Sequence, residues 1–149
     1  MTMDSVIEKV LEEHRSITRL LQQILDILDR GLEAMVATGW EELRRQTSDL
    51  ASHLREHFRL EEEGGFMTPV LELQPTAAPA VEALMQEHHF ILERLDSVRQ
   101  QISDSASPRR TTENPMEALK RVIESLKNHE RAEDALIQAV YAQDIGIED

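Results

Sequence analysis

Six residues stand where a helix would otherwise be apolar: His14, His57, Glu61, His88, His129 and Glu133. Two pairs share the spacing H-x-x-x-E, His57 with Glu61 and His129 with Glu133. Four residues of helix advance by about 6 Å and turn by about 40°, so each pair can serve one small site from one helix. An ionised carboxylate in an apolar interior costs several kcal/mol even after relaxation. Two of them beside four imidazoles call for a compensating divalent cation, or a pair of them. Imidazole and carboxylate without thiolate suit iron, manganese or zinc better than calcium or magnesium. The chain has no cysteine, which excludes disulfides, thiolate nucleophiles, iron–sulfur clusters and cysteine-type zinc sites.

The elements that must position these groups are helices. Gly and Pro number five each and aromatics are 3% of 149 residues, against 40% hydrophobic residues overall. That composition favours long helices with a core of Leu, Ile, Val, Ala and Met. A first helix is predicted from about Asp4 to Val36, capped at Asp4 or Ser5, with a stripe running from Ile7 through Val10, Ile17, Leu21, Ile24 and Leu28 to Met35. Gly39 marks a turn. A second helix follows from about Glu41 to Glu63, ended by Gly64-Gly65, and then a loop rich in breakers, with Pro69, Pro75 and Pro79. A third helix is expected from Ala80 to Ile102 and a polar loop over residues 103–115. A fourth runs from Pro115, capped by Asn114, to about Tyr141. Four amphipathic helices with short to moderate connections predict an all-α, up-down-up-down four-helix bundle spanning residues 1–149 as a single domain.

Alternating topology brings the start of the first and third helices and the end of the second and fourth to one end of the bundle. All six residues fall towards that end, so spacing and topology together predict one shared metal site.

With those residues in place, the chain resembles the hemerythrin family, specifically the bacterial HHE-type domains. The resemblance rests on EEHRSI around His14, EHFRLEEE with His57 and Glu61, QEHHFIL with His88, and NHERAED with His129 and Glu133. It covers nearly the whole chain. It implies two non-haem irons with an oxo or hydroxo bridge, zinc or manganese being alternatives. It assigns His14, His57, His88 and His129 as terminal ligands and Glu61 and Glu133 as bridging carboxylates. It implies binding of O2 or a related small ligand, or iron or oxygen sensing. Two departures matter. The oxygen carriers of the family place two histidines four apart on the third helix, whereas Leu84 and Leu92 flank His88 here. The carriers also use H-x-x-x-x-D on the last helix, which Asp134 matches, but Glu133 lies on the stripe and Asp134 is rotated about 100° from it.

The remaining polar residues have plainer readings. His53, a turn before His57, is expected at the rim of the site, and His89 on the surface. Glu62 and Glu63 are expected to face water. Glu87 is read as helix-surface charge, the alternative being a carboxylate that orients a histidine. Trp40 and Tyr141 are read as packing residues. A formal net charge of −13 opposes binding to nucleic acid or an anionic membrane. The N-terminus lacks a secretory apolar run, and a cytoplasmic protein is expected. Two other functions compete: a di-iron or di-manganese redox enzyme handling peroxide or NO, and a metal-free helical interaction module. The E-x-x-H motif of carboxylate-rich di-iron oxidases is not matched at His14, which has Leu11 three residues before it.

Overall fold

A computed structural model describes the backbone of residues 3–30, 37–63, 65–103 and 114–148, and the side chains of 5–30, 39–63, 65–103 and 114–140. Four long helices dominate: α1 (Met3–Asp29), α2 (Ala37–Glu63), α4 (Ala78–Ser103) and α5 (Pro115–Glu148). A short helix, α3 (Met67–Leu73), and a 3-10 turn (Pro75–Ala77) join the second to the third long helix. Each long helix packs on two others, in the cyclic order α1, α2, α4, α5. The architecture is the all-α bundle expected of the stripes, with no strand among the described residues. No described helix is long and apolar enough to cross a membrane.

Four boundaries differ from expectation, the third long helix beginning at Ala78 rather than Ala80 and so taking in Pro79. The first helix begins at Met3, so Asp4 and Ser5 lie inside its first turn rather than capping it. Its expected end, with Leu32, Met35 and Val36, lies outside the described residues. The second helix begins at Ala37 and takes in Gly39. A glycine there costs about 1 kcal/mol relative to alanine, and Trp40, packed against the core, holds the turn in place. The last helix continues beyond Tyr141 to Glu148; the Tyr141 side chain is outside the described set.

The breaker-rich connection is also helical, and its reason is burial. Phe66, Met67 and Val70 are buried on one side of α3, and Val70 N–H donates to the Phe66 carbonyl at 2.9 Å. Pro69 falls in the first turn, where its missing N–H removes no helical bond. At the start of α5, Met116 N–H donates to Asn114 Oδ1 at 2.9 Å, the cap expected before Pro115.

The core divides into two apolar clusters. The larger is built on Ile17, Leu21, Ile24, Leu50, Leu54, Leu95, Ile102, Leu119 and Leu126. The smaller joins Val6, Val10, Phe66, Val70, Val81, Leu84, Ile137 and Val140, so α3 closes that end of the bundle. Fully burying each such side chain stabilises by about 1.5–3 kcal/mol. Along every long helix the six polar residues lie between these two clusters. The structure is therefore apolar, polar, apolar along the bundle axis.

Candidate metal centre

Each long helix delivers its polar groups where its stripe is interrupted. His14 comes from α1, His57 and Glu61 from α2, His88 from α4, and His129 and Glu133 from α5. All six are buried, Glu133 completely and Glu61 to 1% exposure. Their inward atoms form two overlapping groups, His14–His57–Glu61–Glu133 and Glu61–His88–His129–Glu133, in which the potential ligand atoms lie within 4.8 Å of one another. Glu61 and Glu133 belong to both groups. His57 Nε2 and His88 Nε2 each stand 3.3 Å from Glu61 Oε1. Glu133 Oε1 stands 3.2 Å from His14 Nε2 and 3.4 Å from His129 Nε2. Two histidines per group, with two carboxylates shared between them, make two adjoining groups that could each hold a metal ion.

The outer nitrogens are equally organised. His57 Nδ1 donates to Glu13 at 2.6 Å, His88 Nδ1 to Glu62 at 3.4 Å, His129 Nδ1 to Glu87 at 2.6 Å and His14 Nδ1 to Asp134 at 2.8 Å. The four acids come from α1, α2, α4 and α5 in turn, and each reaches the imidazole of the next helix around the bundle. They close a ring in which every pair of neighbouring helices is joined once. A carboxylate on Nδ1 fixes the proton there and leaves Nε2 as the lone-pair donor. All four Nε2 atoms, with both oxygens of Glu61 and of Glu133, are buried without a hydrogen-bond partner. Buried polar atoms are normally paired. Eight unpaired donor atoms converging on one space match the needs of bound cations, and this donor set fits iron, manganese or zinc.

Charge in the protein alone reflects the same convergence. Burial opposes a charged His14, but the carboxylates of Asp134, Glu133 and Glu61 outweigh it and push its pKa up to about 12. His88, likewise opposed by burial, is pushed up to about 9 by Glu133 and Glu61. Burial and the adjacent Glu133 charge push Glu61 up. Burial would do the same to Glu133, but the imidazoles of His129, His14 and His88 hold it well below the usual carboxylate range. Protons thus sit where cations would bind, and a cation must displace them.

Several residues were misplaced or missed by sequence reasoning. Glu62 does not simply face water: it accepts from His88. Glu87 is not only surface charge: it accepts from His129. Glu13 was not singled out at all. The signal was present, because each of these acids adjoins a site residue in sequence and so projects from the flank of the same helical turn. Phe58, beside His57, was also missed. It is buried and stacks on His88, with ring centroids 3.9 Å apart and an interplanar angle of 9°. Glu130 is a further buried acid, with Oε1 unpaired; burial pushes its pKa up to about 7. His53 and His89 are exposed, and neither belongs to the two groups.

Surface cavities touch the site on one side. One of about 220 Å³ is lined by Phe58, Met85, His88 and Leu92 among others. Another, of about 330 Å³, is lined by Phe90, Ile91, Val122 and His129 among others. The first reaches His88 from the α2–α4 seam and the second reaches His129 from the α4–α5 seam.

Compared with known families, residues 5–141 match the hemerythrin HHE cation binding domain. No curated protein and no solved structure matches the chain.

Proposed function

Because this chain belongs to the family of hemerythrin HHE cation-binding domains, we propose that it holds two irons between its four long helices and binds O2 or a related small ligand, or senses iron or oxygen. The observation that carries the reading is the set of eight unpaired inward atoms on His14, His57, His88, His129, Glu61 and Glu133. In this reading His14 and His57 would hold one metal and His88 and His129 the other, with Glu61 and Glu133 serving both. Zinc and manganese suit the same donors. A pair of irons would supply two redox equivalents and Lewis acidity towards a small ligand.

The protein's own part is positioning and exclusion. The ring of Glu13, Glu62, Glu87 and Asp134 orients the imidazoles before any cation arrives, which lowers the cost of assembling the site. The two apolar clusters keep bulk water away above and below. Phe58 walls the His88 side. The cavities beside His88 and His129 give a small ligand its approach. A cytoplasmic setting suits this reading.

Peroxide or NO turnover is the second reading. Four imidazoles serve two metals, and Leu84 and Leu92 stand where an additional α4 histidine would be. Such a site offers fewer imidazole donors than a histidine-rich carrier site, which would leave the metals more of their coordination to share with a reacting ligand.

Metal analysis joined to an optical spectrum, before and after azide, tests the proposal. Two irons per chain and an azide-dependent change in the visible spectrum are expected. Protein that binds no metal, with stability unchanged by added Fe, Mn or Zn, would overturn it. Turnover of H2O2 or NO that is lost in Glu61→Ala would favour the enzyme.

A further inference from the structure

Charge of the opposite sign gathers further along the α2–α4 seam. A groove of about 670 Å³ is lined by Arg44, Arg45, Ser48 and Arg55 of α2 and by Asp96 and Arg99 of α4. Four guanidiniums there meet two carboxylates, Asp96 in the lining and Asp49 beside Arg45, on a chain whose formal net charge is −13. Arg59, by contrast, is neutralised on its own helix by Glu56 and Glu63.

The groove's few internal bonds set donors in place without using them up. Arg55 Nη2 donates to both oxygens of Asp96, at 2.7 and 2.8 Å. Arg99 Nη1 donates to the same carboxylate at 3.0 Å, and its Nη2 to Ser48 Oγ at 3.2 Å. A guanidinium carries five N–H donors, so both arginines keep several for a ligand. Arg45 has a looser ion pair with Asp49, at 3.7 Å. Arg44 has no ion-pair partner among the described residues.

Shape and lining narrow the ligand. At 1.5 Å per residue, Arg44 and Arg55 are about 16 Å apart along α2, so the cations lie in a row rather than around a point. No aromatic side chain lines the groove, which leaves no surface for stacking a base. The fork of a guanidinium matches phosphate oxygens in pairs. Ser48 is about 20 Å along α2 from Glu61, more than two screening lengths of about 8 Å at physiological ionic strength. The acids of the metal layer therefore weaken an anion's attraction little at the Arg44–Ser48 end of the groove, and more at Arg55, about 9 Å along α2 from Glu61. The geometry points to a binding site for a linear polyphosphate group, two or more phosphates in a row, between α2 and α4. Free inorganic polyphosphate and the phosphate tail of a nucleotide both carry that group.

Calorimetric titration of the metal-loaded protein with tripolyphosphate, and in parallel with ATP, at ~0.15 M ionic strength tests this. One saturable site per chain is expected, with affinity that falls as salt rises. Arg44→Gln with Arg99→Gln should weaken binding by about tenfold or more. Metal content and helical circular dichroism should stay unchanged. Arg44→Gln alone removes a side chain with no ion-pair partner among the described residues, so its weaker binding cannot be blamed on misfolding. Equal affinity for both probes means the phosphate tail suffices, and preference for tripolyphosphate points to the free polymer. Three results would overturn the proposal: no saturable binding of either probe, binding undiminished in the double variant, or equal competition by sulfate or a glutamate-rich peptide at matched ionic strength.

Discussion

Glu133 and Asp134, neighbours in sequence, engage opposite nitrogens of one imidazole. Glu133 Oε1 stands 3.2 Å from His14 Nε2, and Asp134 Oδ1 accepts from His14 Nδ1 at 2.8 Å. Consecutive helical residues point about 100° apart, so one peptide step takes α5 from the inside of the ring to its rim. The side chain of Glu133 is fully buried, while that of Asp134 is 39% exposed. Glu61 and Glu62 divide in the same way on α2, one turned to the shared space and the other to His88.

The two members of such a pair should fail differently when altered. Glu133→Gln removes a group common to both metal positions, and metal content should fall towards zero. Asp134→Asn should keep two metals per chain but release them about 10–100-fold more readily to a chelator. Metal stoichiometry by mass spectrometry and chelator-release rates distinguish the two.

Metal loading should expel protons. With His14 pushed up to about 12 and His88 to about 9, both are protonated in the metal-free protein at pH 7. Filling both positions should therefore release at least those two protons per chain. Apparent affinity should rise with pH, less steeply once His88 titrates near pH 9, and go on rising until His14 titrates near pH 12. The sign is the reverse for the metal-free fold. There the raised values stabilise fully below the ordinary histidine range, and that contribution is lost as pH rises through 9 and then 12. Calorimetry in buffers of different ionisation enthalpy counts the protons.

Glu130→Gln should stabilise the metal-free protein at neutral pH. Burial raises this carboxyl from 4.5 to about 7, so the fold favours its neutral form. The penalty is absent below pH 4.5 and complete above about pH 7. The gain should grow over that window to roughly 1–3 kcal/mol. Urea unfolding at pH 4.5 and pH 7.5 checks it, and an equal effect at both would contradict the assignment.

Gly65→Ala should damage the site from outside it. A Cβ on Gly65 would stand 2.6 Å from the Leu60 carbonyl oxygen and 2.7 Å from Glu61 Cα. Those contacts are backbone, so α2 must shift at the residue that carries a shared carboxylate. A loss of about 1–3 kcal/mol and weaker metal retention are expected, read by thermal unfolding with and without metal.

What the sequence disclosed followed from periodicity. The interrupted stripes placed His14, His57, Glu61, His88, His129 and Glu133 on four inward faces, and topology brought those faces to one depth. The acids on Nδ1 were less legible, because Glu13, Glu62, Glu87 and Asp134 lie off the stripe. Off-stripe acids are usually solvated, and only the neighbouring helix shows that an imidazole is within reach. The same limit hid α3. Three prolines read as a loop, whereas the burial of Phe66, Met67 and Val70 against the bundle end outweighs local preference. Phe58 was hidden for the opposite reason, since an apolar residue beside a histidine carries no sign of the ring it will stack upon.

The ring of acids has a further property. Glu13-His14 on α1 and His57-x-x-x-Glu61-Glu62 on α2 are repeated as Glu87-His88 on α4 and His129-x-x-x-Glu133-Asp134 on α5. The two hairpins thus carry their site residues in the same order, and each acid–imidazole bond and each metal-ligand group of one has its counterpart in the other. Each hairpin brings both imidazoles of one group and one shared carboxylate, so neither completes a group without the other. Any cation seated there is bonded to both hairpins and acts as a clasp between the halves. A backbone nick between α2 and α4 would then leave two fragments joined by the shared core, whose association metal should tighten and a chelator should weaken.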